Sequence, residues 1–403
     1  MELSKFVKLG YAVANTDLGT SGGRERGIAN PDLWKDFGWR ATHIMTETGK
    51  EIIRLYYGRM ESYSYFLGGS TGGQQALSEA QRFPFDYDGI LAMSPANNRV
   101  FLHIYFLWNH NHLRPRSGRM LFSQKEIMQI SDCAIDYFQS KGDGLTGDPF
   151  VSFPYTGNNT VEDFLLFLHQ KYPLFTEVQL QALSAVYHGP VNQVTGEQIY
   201  CGMPIGSEIY SCGIAECQQE ESPHFYPFIW AFGPDYDGYQ FDLGKDVEKI
   251  DALLSADLNA NQPDLHAFSD NGGKLILISG SADPCVPFPD AMNYYKRVIQ
   301  AMGSRQKTDG FLRYFLIPGK DHGMNGRGCS AIWGPGKEKE ELLDVLRRWR
   351  EQKKEPEYLV SVKEDPVTKD RILTRKVYPY GSFWQNEEVF PKTCSSRYLE
   401  ENH

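Results

Sequence analysis

The sequence predicts an α/β protein: a mostly parallel sheet with helices on both faces, interrupted by a large insertion. Three observations carry the prediction. Short apolar runs bounded by Gly and Pro alternate with stretches of helical periodicity, as expected for strands buried on both faces. A glycine-flanked serine, Gly68-Gly69-Ser70-Thr71-Gly72-Gly73, stands between one such run and a helix. Residues 105–264 break the rhythm, being irregular and rich in Pro, Gly and aromatics, and read as an inserted lid or cap domain. The expected organisation is a first core segment at 1–104, the lid at 105–264 and a second core segment at 265–403.

Taken in order, Tyr11–Thr16, Tyr65–Leu67 and Gly89–Met93 read as strands of the first segment. Trp39–Tyr57 carries apolar residues at helical spacing and stops at Gly58. Gln74–Arg82 is the helix after the serine turn. Inside the insertion, Gln124–Tyr137 and Val178–Tyr187 read as isolated helices. In the second segment Lys274–Ser279 is a strand, Asp290–Met302 a helix and Phe311–Ile317 a strand. A last helix covers about Lys337–Gln352, with Leu342, Leu343, Val345, Leu346 and Trp349 on one face. The charge run Glu351–Pro356 is its solvated end.

Composition narrows the class. The 403 residues suffice for a sizeable core without covalent staples, and Lys+Arg 41 against Asp+Glu 51 gives a net charge of −10, which argues against a nucleic-acid partner. No apolar run approaches the ~20 residues of a membrane-spanning helix, and the first ten residues lack the apolar core of a signal peptide. Seven cysteines without a CxxC pair argue against zinc. They read as free thiols in a reducing, cytoplasmic setting.

The pattern G-x-S-x-G at a strand-to-helix turn is a nucleophile elbow. It holds the Ser70 hydroxyl out at the carboxyl edge of the sheet, and the Thr71 N–H, at a helix N-terminus, can face a developing oxyanion. In an α/β-hydrolase core the partners follow in the order Ser, Asp or Glu, His, on loops after later strands. Asp283 comes just after the strand Lys274–Ser279, and His322 comes in the loop after Phe311–Ile317, 39 residues on, enough for one intervening helix. Ser70 is thus the candidate nucleophile, His322 its base and Asp283 the orienter. Asp321 is a rival orienter. His43, inside the first helix, reads as a structural histidine.

These residues also carry a resemblance. The sequence resembles the tannase and feruloyl esterase family of α/β-hydrolases, which includes the hydrolase of mono(hydroxyethyl) terephthalate. Matching stretches are Gly10–Asp17, Asp36–His43, Tyr56–Arg59, Gly69–Gly73, Glu79–Pro84, Asp88–Ile90, Gly189–Gly202, Gly272–Leu275 and the loops of Asp283 and His322. The resemblance implies a serine carboxylic ester hydrolase working through an acyl-enzyme, with a small aromatic ester as substrate, no obligate cofactor, and an aromatic-acid pocket supplied by the lid. A ligand-binding protein of the same fold with little turnover, or a peptidase or acyltransferase, are the alternatives.

Three departures from the family pattern stand out. The family joins a cysteine just before the nucleophile to one just after the histidine, and here those positions are Gly69 and Gly323. The expectation is that Cys285 and Cys329 are free thiols and that reductant leaves activity unchanged, a Cys285–Cys329 bond being the alternative. The family's lid carries a calcium loop. Its counterpart spans Asp136 to Asp148, with Gln139 near an expected Asp and with Asp136, Asp143 and Leu145 as the candidate ligands of a structural calcium. Finally, family members have several tens of residues before the Tyr11 strand, including a second oxyanion donor. The N-terminal strands are therefore expected to be missing here, through a truncated gene model or a half-built oxyanion hole.

Overall fold

A computed structural model describes residues 3–154, 160–220, 224–336 and 339–381. Its centre is a four-stranded parallel sheet, β1 (Tyr65–Gly69), β2 (Gly89–Met93), β3 (Lys274–Gly280) and β4 (Leu312–Ile317), in that spatial order. Leu67 pairs with Leu91, Leu91 with Ile276, and Ile276 with Arg313. β2 and β3 are neighbours although the whole insertion lies between them in sequence.

Side chains alternate across the sheet with the period-2 rule of strands. Ile90, Ala92, Leu275, Leu277, Leu312 and Tyr314 pack with Ala76, Leu77 and Ala80 of the helix Thr71–Arg82 and with Met292 and Tyr295 of the helix Phe288–Ala301. On the other face, Leu91, Ile276, Ile278, Phe315 and Ile317 pack with Leu342, Val345, Leu346 and Trp349 of the helix Leu342–Gln352. Residues 337 and 338, where that helix was expected to begin, lie outside the described residues, as does Cys394.

Two elements differ from the sequence reading. Tyr11–Thr16 forms no strand. Its residues are part-buried or exposed, with no ladder partner among the described residues, and an alternating run becomes a strand only when another chain segment satisfies its amides. A second sheet, antiparallel and unforeseen, joins β5 (Ala331–Trp333), β6 (Leu359–Glu364) and β7 (Arg371–Val377), and Ile332, Leu359 and Val377 extend the core beneath Trp349.

Between β2 and β3 the described residues form helices joined by long loops, with no strand of either sheet. The apolar run Phe101–Trp108 lies in the helix Arg99–Leu113, which straddles the expected 104/105 boundary and is buried nearly all round. Gln124–Ser140 and Glu177–His188 start at capping boxes, Ser123 with Glu126 and Thr176 with Gln179, which satisfy first-turn amides. The helices Val161–Lys171 and Lys245–Leu258 complete one cluster with Phe101, Tyr105, Ile127, Leu183 and Leu254. Leu33, Trp34 and Phe37, from before β1, belong to the same cluster.

His43 is structural, as read from sequence. It stacks on Phe83 at 3.6 Å and bonds Asp86 through Nδ1 at 2.7 Å. Beside it, Glu79 is buried without an ion-pair partner among the described residues. Desolvation and then the Asp86 charge raise its pKa to about 9. A raised carboxyl favours the fold fully below its unfolded pKa, and the contribution is lost as pH rises from about 4.5 through about 9. Glu79→Gln should therefore flatten the decline of Tm across that window and raise Tm above pH 8, as read by thermal melts at stepped pH.

Candidate active site

The turn after β1 is built around one strained residue. Ser70 has φ 58 and ψ −117, a conformation that costs a non-glycine residue about 1–3 kcal/mol unless its surroundings hold it. Here they do. Its N–H donates to Met93 O at 2.9 Å, and its carbonyl accepts from Gln74 N at 3.0 Å and Ala96 N at 3.1 Å. A Cβ on Gly68 would lie 2.0 Å from Gly72 O, and one on Gly73 2.8 Å from Pro95 Cα, so the tight packing falls on these two glycines. Gly72 faces open space. Thr71 opens the next helix, and its N–H is among the first-turn donors without an intrahelical acceptor.

The loops after β3 and β4 lie side by side, joined by Ser281 N to Ile317 O at 3.0 Å and Ala282 N to Lys320 O at 3.1 Å. They bring Asp283 and His322 together as the sequence order foresaw. His322 Nδ1 lies 2.9 Å from Asp283 Oδ2 and 3.2 Å from Oδ1. The N–H groups of Cys285 and Val286 each donate to Asp283 Oδ1 at 2.9 Å. Asp283 is fully buried. Burial raises its pKa, but the charge and hydrogen bond of His322, the Lys320 ammonium and the Val286 N–H outweigh it and hold the carboxyl below the usual range. An ionised Asp283 keeps the proton on Nδ1 and leaves Nε2 as the acceptor. Asp321 is not the orienter: its Oδ1 accepts from Asn325 N at 2.8 Å.

Several residues of the site were not legible in sequence. Lys320 is buried, with its ammonium donating to Ser94 Oγ at 3.2 Å and Asp321 O at 2.8 Å. From the lid helix, Tyr105 donates its hydroxyl to Pro284 O at 2.8 Å, beside Asp283. The cysteine reading needs correction. Cys285 is bonded to Cys212 in the insertion between β2 and β3, with Cα atoms 5.0 Å apart, inside the range a disulfide requires. Cys329, the partner considered from sequence, is a buried free thiol, as is Cys133. The true partner is 73 residues away, inside the insertion, where no spacing rule reaches.

The residues put forward for calcium do not fit it. The two Asp143 oxygens accept from Ser152 N at 2.6 Å and Phe153 N at 2.9 Å. Asp136 pairs with Lys171, the Leu145 carbonyl accepts from Asp148 N at 3.0 Å, and the Gln139 amide donates to Asp148 O at 2.6 Å. Arg375 of β7 pairs with the buried Asp148 carboxylate, so a guanidinium supplies positive charge to this loop. Arg375→Ala strands that carboxylate and should cost about 3–5 kcal/mol of stability. A chelator should leave the wild-type Tm unchanged, and a chelator-induced fall would restore the calcium reading.

A parallel sheet with a strained serine elbow on one strand and a bonded Asp–His pair after two others defines an α/β-hydrolase. The chain belongs to the tannase and feruloyl esterase family, whose model matches residues 2–222 and 230–397. It is similar to feruloyl esterase B of Aspergillus niger, 30% identical over 391 residues that cover 89% of this chain and 70% of the relative. It is also 29% identical over 422 residues to an uncharacterized esterase of Xanthomonas campestris pv. campestris, covering 94% and 73%. The crystal structure of feruloyl esterase B from Aspergillus oryzae shares the fold, with a TM-score of 0.76 at 24% identity over 88% of this chain and 72% of that one. The protein is accordingly a carboxylic ester hydrolase of that family.

Proposed function

We propose that the protein hydrolyses esters of aromatic acids, of the galloyl or feruloyl type, through an acyl-enzyme on Ser70. The observation that carries this reading is the fully buried Asp283, fixed by two backbone N–H groups and bonded to His322 Nδ1 at the sheet edge where the Ser70 elbow ends β1. The Ser70 hydroxyl attacks the acyl carbon and His322 Nε2 takes its proton. The Thr71 N–H faces the oxyanion. His322 then delivers the proton to the leaving alcohol, and a water repeats the sequence to free the acid. Asp283 stays ionised throughout and stabilises the imidazolium. The aromatic preference rests on relatives named feruloyl esterases.

The test pairs a fluorophosphonate label with a substrate panel. Folded wild-type protein should label at Ser70 and cleave methyl ferulate or methyl gallate in preference to short aliphatic p-nitrophenyl esters and to peptides. Folded protein that neither labels nor turns over would leave a ligand-binding protein in its place.

A further inference from the structure

We infer that the Cys212–Cys285 disulfide positions the catalytic acid: it fastens the lid to the Asp283 loop, and full turnover requires it. This rests on the serine hydrolase reading above. Four observations support it. First, Cys285 is two residues from Asp283, and its own N–H is one of the two that hold Asp283 Oδ1. Second, the sulfur of Cys285, a carboxylate oxygen of Asp283 and a ring nitrogen of His322 all lie within 4.8 Å of one another, so the bond borders the orienting pair itself. Third, Cys212 sits at φ 63, a backbone conformation non-glycine residues rarely hold unless something fixes them, and the covalent bond joins this turn to the Asp283 loop. Fourth, Cys212 Sγ lies 3.7 Å from His224 Nε2, so the disulfide is packed against a second imidazole on the other side.

The positions flanking Ser70 and His322 are Gly69 and Gly323, so no disulfide can join them. Among the described residues Cys212–Cys285 is the one covalent tie at this site. It acts on the acid rather than on the nucleophile.

The chemistry balances simply. A dithiol supplies two electrons and two protons, the S–S bond breaks to two thiols, and the dithiol closes to its own disulfide. Two nonbonded sulfurs cannot stay at bonded distance, so reduction releases the covalent restraint between the lid turn and the Asp283 loop. In a reducing compartment the loosened form prevails. In an oxidising one the tether persists.

The experiment compares wild type, Cys212→Ser, Cys285→Ser and the double variant on one aryl ester. Wild type is also measured oxidised, reduced with a dithiol, and re-oxidised. An ångström of misplacement in a catalytic group costs up to about 10²-fold, so kcat should fall about 10- to 100-fold with a smaller change in KM. The acid limb of the kcat–pH profile should shift, the double variant should lose no more than either single one, and re-oxidation should restore wild-type kcat. Unchanged kcat and pH profile in folded variants and in fully reduced wild type, whatever the change in Tm, would overturn the inference. If wild type itself neither labels nor turns over, the serine hydrolase reading fails instead. Hydrogen exchange of residues 281–287 then decides: faster exchange on reduction supports the tether, and equal exchange overturns it.

Discussion

On the proposed mechanism Asp283→Asn should lower kcat by about 10⁴, through a tautomer that the loop itself enforces. The Cys285 and Val286 N–H groups both point at Oδ1 and will hold the amide oxygen of the replacement there. Its NH2 group must then occupy the Oδ2 position, 2.9 Å from His322 Nδ1. Two donors cannot share that contact, so Nδ1 becomes the acceptor and Nε2 carries the proton, the wrong state for taking one from Ser70. Asp321→Asn keeps an acceptor for Asn325 N and should change kcat by less than tenfold, because its bond lies within its own loop. Steady-state kinetics on one aryl ester separate the two. An Asp283→Asn variant as active as wild type would move the orienting role to another carboxylate.

Ser70→Ala and His322→Ala should each abolish turnover on the proposed mechanism, with losses on the order of 10⁶ in kcat, the scale seen when a nucleophile or its base is removed from a serine hydrolase. The double variant loses no more than either one, since each residue is useless without the other. Labelling distinguishes them. Ser70→Ala cannot take a fluorophosphonate at all, and His322→Ala takes it far more slowly than wild type. Turnover near wild type in either variant would remove the proposed nucleophile or base.

The site's core was legible because its chemistry is local. A serine between glycines after an apolar run, a carboxylate just past a second strand and a histidine past a third are short patterns, and strand order stacks them at one edge. The helices with strong periodicity, Ala41–Tyr57 and Leu342–Gln352, were legible for the same reason. What sequence could not show depends on distant partners. Tyr11–Thr16 has the composition of a strand and, among the described residues, no neighbour to pair with. β6 and β7 are polar and half-exposed, and become strands through pairing with each other and with β5. Cys212, between β2 and β3, reaches Cys285, after β3, 73 residues on in sequence, and Arg375 reaches Asp148 across an even longer span.

The shared hydrophobic cluster has a consequence for recombining these proteins. Leu33, Trp34 and Phe37 precede β1, yet they pack with the insertion's helices, and Trp230 of the lid donates its indole N–H to Arg24 O at 2.6 Å. The insertion between β2 and β3 is therefore not a cassette that can be cut at residues 105 and 264 and moved to another core. A chimera that exchanges only residues 105–264 would set foreign side chains against Trp34 and Phe37. One that keeps the cluster together must also carry residues 24–40, the stretch from Ala96 to Ile104, and Cys285 and Val286, so the crossover points that preserve folding lie well outside the two ends of the insertion.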